Sequence, residues 1–261
     1  MRNSSSLPVG DGTRILRSRF PRNGETGSLI ELWVNSTLGV DVRADLTGEN
    51  ALSVALERLD VRVEEDPGLP YEGELRIVGQ QFVVFLDRRA SVEGKNFTLA
   101  HELGHASLAL ISAELDQAQD HVEVLCDQFA AELLAPVGAL RRLADECSLS
   151  ATLRHASTRF GVSWSTACRR VSEEFKVVAG FVGTTSDCHV WAGHHPGWLD
   201  WEKSVAELAS RADGTTVTRE LPHRWSLEVT VQDTNVAYVA GPAARVSSAR
   251  RLADPASVVR R

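Results

Sequence analysis

The sequence predicts an α+β fold: a small antiparallel sheet packed on helices, further helices after it, and a second small α+β region at the end. Three observations carry that prediction. Helical periodicity and alternating β-branched runs follow one another before residue 90. Helical stretches then dominate from Phe97 to Val171, and short β-like runs between glycine-rich turns fill the chain from Val177 onward. The expected organisation is a flexible arm over 1–27, a first domain over 28–136, a helical segment over 137–176 and a small C-terminal α+β domain over 177–261.

Residues 1–27 are rich in Ser, Gly, Arg and Pro, and Arg14, Arg17, Arg19 and Arg22 sit among breakers, so this part reads as an arm without a core. Leu29–Val34 is apolar and fits a helix or a short strand. Asn50–Leu59 is an amphipathic helix, with Leu52, Ala55, Leu56 and Leu59 on one side. Val61–Val63, Glu74–Val78 and Gln81–Leu86 read as strands, and Gly79-Gln80 as the turn of a hairpin. One strand of that hairpin, Gln81–Leu86 or Glu74–Val78, can offer an open edge to an extended peptide. A hairpin that only covers the next helix fits the same pattern. Asn96 can cap that helix, which would begin near Phe97. A second helix runs over His121–Ala135 and stops at Pro136. Val137–Glu146 and Ala151–Phe160 are helical, and Arg159–Val171 has the outline of a helix-turn-helix with Gly161 in its turn. Beyond it come β-like runs at Val177–Val182, Cys188–Trp191, Trp225–Val231 and Val236–Val239, with a helix at Trp201–Arg211 and an unstructured end at Arg260-Arg261.

Composition narrows the function classes. Hydrophobic residues make up 43% and charged residues 24%, the proportions of an ordinary globular protein. No apolar run reaches the roughly 18–20 residues of a membrane span. Met1–Gly10 lacks the apolar centre of a secretory signal, so a cytoplasmic protein is expected. Cys126, Cys147, Cys168 and Cys188 show no C-x-x-C pairing and read as reduced, idle thiols. A net charge of −7 argues against direct nucleic-acid binding. His194-His195, before Pro196 and Trp198, fits either an auxiliary ligand site or a solvated loop.

The chemistry lies in His101-Glu102-Leu103-Gly104-His105. Residues four apart share a helix face, so both imidazoles can reach one cation. Glu102 can approach a water beside that cation without ligating it, the arrangement of a zinc hydrolase with a carboxylate base. Two incidental histidines on a surface helix are the competing reading. Phe97, Leu99, Leu103, Leu108, Leu110 and Ile111 argue against it, because they mark a helix within a domain, where bare imidazoles and a carboxylate cost desolvation. The third ligand must come from elsewhere. In His121–Ala135, Glu123 and Asp127 share a face: the glutamate can ligate, while the aspartate can accept the outward N–H of a ligating histidine. His121 is a rival ligand, and Glu132 reads as solvated or locally paired. Tyr71, His121 and His155 are candidates to steady an oxyanion.

Phe97-Thr-Leu-Ala-His-Glu-Leu-Gly-His105 followed by Glu123-Val-Leu-Cys-Asp-Gln-Phe-Ala-Ala-Glu-Leu-Leu-Ala-Pro136 resembles the ImmA/IrrE family of metallo-endopeptidases, densely over 97–136 and loosely over 50–175. Cys126 stands where that pattern has Ala, and Ala135 where it has Met. The resemblance implies a zincin-like domain with a gluzincin-like site: His101, His105 and Glu123 on zinc, Glu102 as base, Asp127 orienting a ligating histidine. Manganese and iron(II) suit the same ligands. It also implies a protein substrate, a helix-turn-helix repressor cut to release genes of a mobile element or stress response. In addition it implies ordinary structural helices around Arg159–Val171 and, in some relatives, a sensor-like end. The alternative is a regulator that binds a repressor or DNA without cutting, its metal site structural or relic.

Overall fold

The structure, a computed structural model, describes residues 16–20, 26–39, 47–111, 119–183, 189–193, 200–212, 216–232, 235–243 and 246. Arg14, Arg22, Cys188, His194-His195 and the Arg260-Arg261 end lie outside the described residues, as does most of the expected arm. The chain forms two compact units, Met1–Pro136 and Val137–Arg261.

In the first unit a helical turn at 16–19, with Leu16 buried where a coreless arm was expected, precedes α1 (Thr26–Leu38). The ambiguous Leu29–Val34 run is helical because Leu29, Ile30, Trp33 and Val34 recur at helical spacing and are all buried. Helix α2 (Gly48–Leu59) buries Ala51, Leu52 and Ala55, and Asp60, in the left-handed conformation at φ 52°, turns the chain into β1 (Val61–Asp66). Strands β2 (Gly73–Val78) and β3 (Gln81–Asp87) form the expected hairpin, with Leu75 opposite Val84. Gly79 sits in its two-residue turn at φ +69°, a conformation a side chain would resist. The strand order is β1-β3-β2, and β1 runs parallel to β3, so this sheet is mixed and β2 is an edge.

Two helices follow, α3 (Val92–Ile111) and α4 (Gln119–Leu134). Helix α3 begins five residues before the expected Phe97. Ser91, not Asn96, is the cap, its hydroxyl accepting from the Gly94 N–H at 3.0 Å. Ser91 stands just outside the first turn, where its hydroxyl can reach a free N–H, whereas Asn96 lies within the helix. Helices α3 and α4 pack on each other, α1 and α2 both contact α4, and α3 also meets β2 and β3. Trp33 of α1 ties the helix pair together. Its ring centroid lies 4.4 Å from that of Phe129, and its indole N–H donates to Ser107 Oγ at 2.9 Å. Glu132, expected to be solvated or locally paired, is buried at 5% exposure, so its solvated reading is corrected: its side of α4 faces packed helices.

The second unit places α5 (Val137–Glu146), α6 (Leu149–Phe160) and α7 (Trp164–Phe175) ahead of a five-stranded antiparallel sheet. Its strands are β4 (Val178–Val182), β5 (His189–Ala192), β6 (Thr216–Leu221), β7 (Trp225–Gln232) and β8 (Asn235–Pro242), in the order β5-β4-β8-β7-β6. Helix α8 (Trp201–Ala209) packs on β6 and β7. Strand β6 was not expected, although Thr216-Val-Thr alternates. Helix α6 lies on β7 and β8 and α7 on β4 and β5, so helices and sheet share this unit. Glu228, fully buried, accepts the Ser150 N–H of α6 at 2.7 Å, a carboxylate at a helix N-terminus. No helix among the described residues is long and apolar enough to cross a membrane.

Trp33→Ala should lower the unfolding free energy by about 3–5 kcal/mol through cavity formation. Denaturant unfolding of the two proteins measures the difference, and a change below about 1 kcal/mol would contradict a clamp at this position.

Candidate metal centre

Helix α3 presents His101 and His105 one turn apart because their spacing is four, and α4 brings Glu123 and Asp127 to them from 22 and 26 residues away. His101 Nε2 lies 3.1 Å from Glu123 Oε2 and 3.1 Å from His105 Nε2, and His105 Nε2 lies 3.4 Å from Glu123 Oε1. These three residues are the group among the described residues whose ligand atoms lie within 4.8 Å of one another. His121, the rival, is not in that group.

Asp127 Oδ1 accepts from His101 Nδ1 at 2.9 Å, which leaves the lone pair of Nε2 facing His105 and Glu123. Three lone-pair donors then meet at one point, an arrangement only a proton or a cation relieves. Tetrahedral zinc with bonds of roughly 2.0–2.1 Å requires ligand atoms about 3.3–3.4 Å apart. The observed 3.1–3.4 Å spacings fit that ion with small adjustment. His101 and His105 are largely covered, whereas the Glu123 side chain is 50% exposed, so one side of the point stays open to solvent.

The electrostatics follow the same geometry. Burial is the largest influence on His101 and pulls its pKa down, but the Asp127 hydrogen bond and the charges of Glu102, Asp127 and Glu123 outweigh it, and the net shift is upward. Burial, then the charge on His101, lowers His105. Burial raises Glu102, against the pull of His101 and of a hydrogen bond from the backbone. That bond runs from the Leu75 N–H on edge strand β2 to Glu102 Oε2, at 3.0 Å. In an antiparallel pair alternate residues turn their N–H and C=O groups away from the partner, so Gly73, Leu75 and Ile77 form the outward row of β2. The edge strand expected from the hairpin is thus Gly73–Val78, and Gln81–Asp87 is the central strand.

Of the residues considered for an oxyanion, Tyr71 is 62% exposed in the loop before β2, and His155 lies on α6 of the second unit. Leu110, counted among the apolar flanks of α3, is exposed. Cys126 and Cys168 are buried free thiols and Cys147 is half-buried; burial pushes the Cys168 thiol up to about 12. The Leu75 backbone contact was missed, and the outward row of an edge strand beside the motif helix was the signal for it.

Two imidazoles and a carboxylate converge from two packed helices, with a second carboxylate beside them, a donor set of the kind that metallopeptidase centres use. Residues 56–172 match the family model described as the IrrE N-terminal-like domain, which supports an ImmA/IrrE family metallopeptidase domain in this part of the chain. Among solved structures, a Mycobacterium tuberculosis transcriptional regulator is similar over 90% of this chain and 82% of its own, at 14% identity and a TM-score of 0.51, which speaks for a shared fold. No curated protein matches the sequence.

A divalent ion must displace any proton that His101 carries. Because its pKa is raised above 6.5, affinity should be flat above the raised value and fall as pH drops through it. Asp127→Asn removes the strongest raising influence, so the fall should begin at lower pH, while affinity at alkaline pH weakens by about 10–100-fold. Competition with a chelator across a pH series reads both; an unchanged onset would contradict the assignment.

Proposed function

We propose that this chain is a zinc-dependent endopeptidase whose substrate is a partner protein, a DNA-binding repressor of the helix-turn-helix class. The observation that carries the reading is the convergence of His101, His105 and Glu123 on one point with Glu102 beside it. His101, His105 and Glu123 hold the ion, and Asp127 fixes the orientation of His101. When bound, the ion supplies Lewis-acid polarisation of a carbonyl and acidifies water.

The protein's own residues do the rest. Glu102 takes a proton from the attacking water and passes it to the leaving amine. Its raised pKa suits both halves of that task, since a carboxylate nearer neutrality accepts and returns a proton more readily. The outward row of β2 receives the substrate backbone as an added strand, so an extended segment lies across the metal point. Substrate binding then takes over the Leu75 N–H and frees Glu102 Oε2 for the water.

The repressor as partner rests on the family, whose resemblance implies cleavage of helix-turn-helix proteins, and accords with the regulator among the similar folds. Cleavage would release the genes of a mobile element or a stress response. The charge of −7 favours a partner with a basic surface. Zinc is the ion proposed, in a cytoplasmic setting; manganese and iron(II) suit the same donors.

Glu102→Gln should cut peptide hydrolysis by about 10²–10⁴-fold with zinc still bound. The assay incubates the protein with repressors encoded beside its gene, with and without a chelator, and measures zinc content in parallel. Undiminished cleavage by the variant would sink the role given to Glu102. Undiminished derepression without any cleavage would favour the non-proteolytic regulator.

A further inference from the structure

At one point beneath the ligands, α3 and α4 touch with no side chain from α3 between them. Gly104 precedes His105, and Cys126 lies three residues after Glu123 and one before Asp127. Both are buried. A Cβ built on Gly104 would lie 3.2 Å from Cys126 Sγ and 3.3 Å from both the Cβ and the Cα of Cys126. The obstacle is therefore the backbone of α4 as well as a side chain that could swing aside. Any residue larger than glycine forces the helices apart by a few tenths of an ångström. On the same helix pair, Trp33 binds Ser107 and packs on Phe129, which limits how the helices can adjust elsewhere.

Metal–ligand distances hold to within about 0.2 Å of their preferred values. A separation of a few tenths of an ångström, applied one residue from His105 and three from Glu123, exceeds that tolerance. The local helix term has the opposite sign, because alanine favours a helix more than glycine does. A glycine here is costly to α3 taken alone and favourable to the centre.

We infer that Gly104 is a positioning residue of the metal centre: its missing Cβ sets the spacing of the two ligand-bearing helices and lets Glu123 close on the imidazoles. The inference rests on the reading of His101, His105 and Glu123 as metal ligands. It adds that the bite of that chelate is fixed by a backbone contact rather than by the ligands' own reach.

The test uses the full chain, stripped of metal, with zinc affinity read by competition against a chromophoric chelator and stability of the metal-free form read by thermal unfolding. Gly104→Ala is expected to lose about 10–100-fold in zinc affinity, the range seen when support of a ligand is lost, with a metal-free Tm no lower than wild type. Gly138→Ala, the same change in helix α5 where the nearest neighbour is an Arg142 side chain at 3.8 Å, is expected to leave zinc affinity unchanged. Equal zinc binding by Gly104→Ala and wild type would overturn the inference alone, as would an affinity loss matched by a drop in the metal-free Tm. A wild-type protein that binds no zinc would overturn the metal-centre reading and this inference with it. If Gly104→Ala fails to fold, Cys126→Val enlarges the same contact from α4. The same loss of affinity is expected there, and wild-type affinity, or a second failure to fold, overturns the inference.

Discussion

The packing of α3 against α4 is the constraint on which the centre depends. Two of its three converging atoms belong to one helix and are placed by helical geometry alone. The third belongs to another helix, 22 residues on, and reaches the histidines only if the helix axes approach closely. Leu103, Leu108, Phe129 and Leu133, all fully buried, hold the pair together from below. Trp33 adds a polar tie to α3 and a ring contact to α4, so a helix that carries none of the ligands helps fix the distance between those that do.

That packing also creates the electrostatic problem the centre must solve. Burial works against charge on His101, His105 and Glu102 alike, and each group answers differently. His101, braced by Asp127, favours its cationic form; His105, beside it, favours the neutral form; Glu102 is pushed towards protonation. The pattern is that of groups awaiting one positive charge, which a proton on His101 supplies in part and a divalent ion supplies in full. An ion bound at this point stabilises the folded first unit as it binds, since an unfolded chain offers no such cluster.

Sequence made the local half of this arrangement legible. The spacing of His101 and His105 fixed a shared face, and Glu123 with Asp127 repeated that spacing on a second helix. The hairpin was visible because Gly79-Gln80 interrupts two alternating runs. What sequence could not supply was distance between elements. Spacing left His121 as a rival to Glu123 for the closing position, the resemblance favoured Glu123, and nothing in the linear order put the Leu75 N–H on Glu102. The start of α3 was misplaced because Asn96 and Ser91 are both good caps, and position in the loop after β3 decides between them. The parallel pairing of β1 with β3 is a long-range choice that alternation does not encode, and Thr216–Leu221 does not read as a strand because four of its six residues, Thr216, Thr218, Arg219 and Glu220, are polar.

Trp33 lies outside the segment shared with the family, 56–172, and that segment ends within α7, ahead of all five strands of the second unit. The matched stretch therefore leaves out part of the packing around the centre. Cut at those limits, the chain would lose α1 and α2's first turns at one end, uncovering Phe129, and would leave α6 and α7 without the sheet they lie on at the other.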